Sequence, residues 1–179
     1  MKKIICICCS IALLYSCNNN NKPAEVATDT TAAKVSMDLP FTATYSSSFN
    51  SEVSDKDLKS VLGMYKNWAD GNMDGLMGAF ADSIQYETAD GDSGKTSNAD
   101  LKKKWGQYRD SITGIKYEME AWHKMHSIDK KDDYIVVWYK EWDTFKNGTV
   151  DSSYLHDVNQ LKDGKVTWYS QYKRPMKKK

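Results

Sequence analysis

Asp157 and Asn159 place a carboxyl and a carboxamide two residues apart, in a stretch from Leu155 to Leu161 that alternates as a strand does. A two-residue turn at Asp163-Gly164 would pair Lys162 with Lys165. It then sets Leu161 opposite Val166, Asn159 opposite Trp168, Asp157 opposite Ser170 and Leu155 opposite Tyr172. Such a face is apolar at its ends and polar in its middle, which suits the wall of a cavity. There Asp157 could act as an acid or orient a ligand. The alternative is that Asp157 and Asn159 bond each other, Ser170 or nearby backbone inside a filled core. His156 adjoins Asp157 in sequence but points to the other face, so it serves as a base only if a bulge reverses the parity of the strand.

Six tryptophans, Trp68, Trp105, Trp122, Trp138, Trp142 and Trp168, together with Tyr65, Tyr86 and Tyr172, could furnish stacking walls for a flat or glycan-like ligand. Aromatic residues at helical or strand spacing also build ordinary cores; Trp168 and Trp138 are the expected wall residues. No cofactor and no metal site is expected. His123 and His126 are three apart on a strand and face opposite ways, and the twelfth position from Asp90 is Leu101 where a calcium loop needs a glutamate.

The elements that must hold these residues follow from periodicity. Ser54 caps a helix whose apolar stripe is Leu58, Val61, Leu62, Tyr65 and Trp68, and Gly71 stops it. Met73 to Asp82 reads as a short second helix weakened by Gly75 and Gly78, and Ile84 to Tyr86 as a first core strand. Residues 90–94 read as a loop. Ser97 caps a further helix running towards Gly114 with Leu101, Trp105, Tyr108 and Ile112 on its stripe. Beyond it, segments 115–128, 133–145, 150–161 and 166–174 alternate with period two between turn signals, a four-stranded antiparallel meander. Helices first and strands last predict an α+β domain over 54–175, with about three helices on the concave face of a curved antiparallel sheet. The alternation of Phe41, Ala43, Tyr45, Ser47 and Phe49 predicts a lead-in strand within 41–53. Residues 176–179 form a basic tail.

The run Trp68-Ala69-Asp70-Gly71-Asn72-Met73-Asp74, with Leu76-Met77, Phe80-Ala81-Asp82 and the closing Asp163-Gly164-Lys165-Val166, resembles the nuclear transport factor 2-like superfamily and its SnoaL-like and ketosteroid isomerase-like branch, over Ser54 to Pro175. The resemblance implies a cone: a curved sheet and helices enclosing a pocket open at one end, often in a homodimer formed through the sheet. It also implies where isomerase residues would fall. The base position is Thr88 and the tyrosine position is Met64, one short of Tyr65; Asp157 alone keeps its acid. Without a proton acceptor, steroid isomerisation is not expected.

The N-terminus supplies an address. Lys2 and Lys3, an apolar run from Ile4 to Leu14 too short to span a bilayer, and Leu14-Tyr15-Ser16-Cys17 resemble a bacterial lipoprotein signal peptide, residues 1–16, with Cys17 the lipidated residue. Residues 17–40 carry no aromatic side chain and would tether the domain. Cys6, Cys8 and Cys9 leave with the signal, so the mature chain has no thiol for a disulfide, a zinc site or a nucleophile. Without residues 1–16, 23 basic residues face 24 acidic ones, which removes the electrostatic case for nucleic acid.

The expected protein is lipid-anchored in the cell envelope, at the outer membrane facing the periplasm. It would bind a small molecule or a partner in its pocket. Two alternatives stay open: a SnoaL-like isomerase, dehydratase or cyclase using Asp157 as acid with water or His156 as base, and an envelope assembly or dimerisation module without a ligand.

Overall fold

The structure is a computed structural model, and it describes residues 39–177. The expected signal peptide, the lipidation site Cys17, nearly all of the tether and the last two lysines lie outside the described residues. No helix among the described residues is long and apolar enough to cross a membrane.

The folded unit begins at Phe41. Its first strand, β1, is only Phe49–Asn50, paired with Ser127 and His126. This is shorter than the alternation from Phe41 predicts, because Ser127 is the last residue of its partner strand and the chain before Phe49 runs past the end of the ladder. Phe41 is accordingly 87% exposed. Tyr45 is held by its hydroxyl on Asp132 and by an edge contact with the Tyr134 ring.

Helix α1, Asp55–Ala69, starts where Ser54 accepts a hydrogen bond from the Asp57 amide at 3.0 Å, with Asp55 and Asp57 at its positive end. It buries Val61, Met64 and Tyr65, and Gly71 takes the left-handed conformation that ends it, with φ 72°. Helix α2, Met73–Met77, is half the length its sequence suggests. Gly75 and Gly78 are weak helix formers, and Phe80 is drawn instead into strand β2, Phe80–Glu87, where it pairs with Val166 and packs edge-on against Trp105. The expected loop contains the start of β3, Ser93–Ser97, which hairpins back on β2. Ser97 then caps α3, Asn98–Arg109, through the Asp100 amide at 3.1 Å.

The meander follows as β4 (Ile112–Ser127), β5 (Asp133–Phe145), β6 (Val150–Lys162) and β7 (Lys165–Pro175). Sheet order is β1-β4-β5-β6-β7-β2-β3, antiparallel except where β2 lies parallel to β7. The three helices cover one face of this curved sheet. Val61, Ile84, Leu101, Ile135, Val137 and Val166, all at most 1% exposed, form the core between them. Each such side chain contributes roughly 1.5–3 kcal/mol. Arg109, at the end of α3, ties three elements together. Its guanidinium donates to the carbonyls of Trp68 (2.8 Å) and Ala69 (2.9 Å) at the open end of α1 and to that of Ile112 (2.8 Å) at the start of β4.

The last hairpin differs from expectation in one respect that decides the site. Its turn is the expected one: Asp163 and Gly164 have φ 52° and 74°, as a tight primed turn requires, and Lys162 pairs with Lys165 and Leu161 with Val166. Then Gln160 pairs with Trp168, so Thr167 is an extra residue in β7, a bulge. From there every partner is shifted by one: Asn159 faces Tyr169, Asp157 faces Gln171 and Leu155 faces Lys173.

Candidate functional site: an acid-walled aromatic cavity

A cavity of about 320 Å³ opens between the inner face of the sheet, α1 and α3. Tyr65 of α1, Tyr139 of β5 and Tyr169 of β7 form its floor, and their hydroxyls converge beneath it on one oxygen, Oδ2 of Asp157, at 3.0, 2.8 and 3.1 Å. Trp68, Phe80, Trp105 and Tyr108 make an aromatic side wall. Glu141 and Asp143, two apart on β5 and therefore on one face, form the opposite wall beside Tyr117. The loop from Thr88 to Asp92, with Lys104 and Lys173, frames the mouth.

Charge inside this cavity is set by burial. Asp157 has no exposed surface, and desolvation pushes its pKa up to about 7, against the pull of the tyrosine hydrogen bonds. Burial likewise raises Glu141, with the neighbouring Asp143 charge adding to it, and raises Asp143. Two carboxyls within hydrogen-bond reach in a dry wall share a proton rather than both ionise. Tyr65, Tyr117, Tyr139 and Tyr169 are all held well above the usual phenol range, by burial first, and so remain donors.

The residues singled out in the sequence divide between two faces. Tyr65 lines the cavity. Tyr86 is buried behind its mouth, where its hydroxyl accepts from Lys104 at 2.9 Å next to the Lys104–Asp92 ion pair. Asp157 faces inward but lies behind the tyrosine floor and does not reach the cavity. Asn159, also without exposed surface, donates to the Ile135 carbonyl at 3.1 Å, while its own Oδ1 accepts no hydrogen bond. The bulge at Thr167 turns Trp168, Ser170 and Tyr172 away from them, and Trp138 lies outside by the alternation of β5. Trp168 and Tyr172 face outward with Trp138 and His156, whose rings stack at 4.8 Å. Tyr172 is 60% exposed. Trp138, His156 and Trp168 line an open groove on the outer sheet face with Tyr45 and Phe49. Ser170, expected opposite Asp157, instead pairs with Val158, and its hydroxyl sits 3.4 Å from Glu87. The expected facing of Asp157 with Ser170 and of Asn159 with Trp168 is therefore corrected by one residue. His156 stays outside because the bulge is in β7, leaving the parity of β6 intact.

Thr88 and Met64, the two positions counted from the isomerase pattern, both line the cavity. Neither carries an acid or a phenol. The Glu141–Asp143 pair was not singled out in the sequence. Its signal was there: Val137, Tyr139, Glu141 and Asp143 continue one alternation from apolar to acidic, a change of character on a buried face.

No protein-family model matches this chain, and no curated protein does. Solved structures do. An LEH-like epoxide hydrolase from M. tuberculosis superposes with a TM-score of 0.54 at 11% identity, over 66% of this chain and 83% of that one. An NTF2-like protein of unknown function from Burkholderia pseudomallei gives 0.54 at 13% identity, over 66% and 91%. A protein with a ketosteroid isomerase-like fold from Catenulispora acidiphila, solved in complex with trimethylamine, gives 0.53 at 14% identity, over 64% and 84%. At such identities the likeness is one of fold. The helices, the curved seven-stranded sheet and these neighbours together make this the nuclear transport factor 2-like fold.

Proposed function

We propose that the domain is a small-molecule-binding module, carried on a lipid anchor at the cell envelope, which takes its ligand into the aromatic cavity between sheet and helices. The observation that carries this reading is the cavity itself: about 320 Å³ left open among large side chains, with Glu141 and Asp143 on its wall. This volume falls at the lower end of the range for ligand sites, about 300–1,000 Å³. A module serving assembly alone would gain stability by filling such a space, since voids forfeit packing. The outer groove with Trp138 and Trp168 is then the surface that a second copy would cover.

A second reading is favoured by a specific feature. A carboxyl pair sharing a proton can give and take it, so an isomerase, dehydratase or cyclase built here would use Glu141 and Asp143, not Asp157 or His156. Native mass spectrometry of the full chain released from membranes in a neutral detergent tests the binding reading. A small molecule retained at one per chain supports it; an empty chain that also takes up nothing from an envelope extract overturns it. Labelled palmitate on Cys17, lost in Cys17→Ser, tests the anchor.

A further inference from the structure

Asp143 is only 4% exposed, yet its Oδ1 accepts no hydrogen bond, while the side chain lines the cavity. A buried carboxylate oxygen with no donor is costly and calls for a partner. Lys173 and Arg109 favour the Asp143 charge from a distance, but the direct bonds of the nearby cations go elsewhere. Lys173 pairs with Asp151 at 2.6 Å, Lys104 pairs with Asp92 and bonds Tyr86, and the Arg109 guanidinium is taken up by three backbone carbonyls. The pair, with one shared proton, thus faces the open space without an ion-pair partner of its own.

Aromatic rings share the lining of that space. Trp68 and Tyr108 stack with planes 6° apart, and Trp105 meets Tyr169 edge-on at 5.7 Å. Aromatic rings and carboxyls lining one cavity favour one charge and one shape. We infer that the ligand class is an organic cation, a protonated or quaternary amine with apolar substituents, its charge set against Glu141 and Asp143 and its alkyl groups against Trp68, Trp105 and Tyr117. An anion would be repelled by the pair. A neutral ligand without a donor would leave Asp143 Oδ1 unpaired. A bare divalent cation needs six or more oxygen ligands, which two carboxyls among rings do not supply. Aromatic faces attract the positive charge of an amine and accommodate its methyl groups at the same time.

This inference rests on reading the cavity as a ligand site, and its test separates the two. The full chain in neutral detergent is titrated with choline and with 3,3-dimethylbutan-1-ol, the same shape with carbon in place of the charged nitrogen, followed by calorimetry and tryptophan fluorescence. Choline binding at least tenfold tighter, with the preference reduced to twofold or less in both Asp143→Asn and Glu141→Gln and kept in Asp151→Asn, supports the cation. Both variants are checked for an unchanged melting curve, and either one that folds decides the matter. Equal binding of the two probes overturns the cation and leaves the cavity as a ligand site. No binding of either probe, with a neutral or anionic molecule retained in native mass spectrometry, has the same effect. No binding and an empty chain overturn both.

Discussion

Asp157 takes three tyrosine hydroxyls on one oxygen and leaves the other, Oδ1, without a partner. That arrangement makes it a positioning residue for the cavity floor, and it links folding to pH. Its pKa rises from 3.8 to about 7 on folding, so between those values the folded chain holds a proton that the unfolded chain releases. Its contribution to stability is complete below about pH 4 and is lost as pH rises through 7. At about 1.4 kcal/mol per pKa unit the full change is a few kcal/mol. Urea unfolding between pH 4.5 and 7.5 should show stability falling over this window and a shallower fall in Asp157→Asn, because Glu141 and Asp143, raised in the same direction, still contribute. An identical slope in the variant would assign the effect to the pair alone. His156, with its ring against Trp138 on the outer face, takes no part in the floor.

Strand β7 decides which side chains the cavity receives. Removing Thr167 would close the bulge and leave the pairing from Gln160 with Trp168 onward as it is, so Trp168 and Tyr172 stay outward and Tyr169 and Gln171 stay inward. The floor would keep the Tyr169 hydroxyl and the bonds from Gln171 to Tyr169 (2.7 Å) and Tyr139 (3.4 Å). With the facing preserved, closing the bulge should cost less than about 2 kcal/mol, from the altered local twist, read as a modestly lowered urea midpoint. Outright failure to fold would show that the bulge itself, and not only the facing it sets, holds β7 on the sheet. Helix α3 offers a second test. Arg109→Met should destabilise by about 2–4 kcal/mol because it takes a charged donor from the carbonyls of Trp68, Ala69 and Ile112, leaving Trp68 only the Gly71 amide, and Arg109→Lys should restore little of it, since an ammonium lacks the planar fork that reaches two elements. Thermal melting of the two variants checks this.

At the scale of the whole domain, the helices pack onto the sheet through an aliphatic core and through large rings, and the space left among the rings is the cavity. Leu155, buried at 5% exposure, borders this space. Leu155→Phe should therefore be tolerated, with stability unchanged or raised by up to about 1 kcal/mol, while uptake of any ligand falls at least tenfold. A melting curve paired with native mass spectrometry reads both effects. Loss of stability without loss of uptake would place the ligand elsewhere, the outer groove bordered by Trp138 and Trp168 being the next surface to test.

Much of this architecture was legible from local signals. Ser54 and Ser97 cap their helices through short-range hydrogen bonds, Gly71 ends α1 through its own backbone freedom, and Asp163-Gly164 forms the tight turn its residue types demand; each of these needs only a few neighbouring residues. The alternation of the meander likewise told which strands exist, because one face of each is buried. The length of β1 and the end of α2 depended on something non-local: whether a partner strand was there to receive Phe49 and Phe80. The same is true of the site. Trp168-Tyr169 places two aromatic residues side by side, so either parity of β7 would bury one of them, and alternation alone does not choose. The choice came from the tertiary packing, where the tyrosine hydroxyl finds Asp157 and the tryptophan, which has no such acceptor inside, turns to the outer groove. Glu141 and Asp143 became a site only when α3 closed over β5 and took water from them.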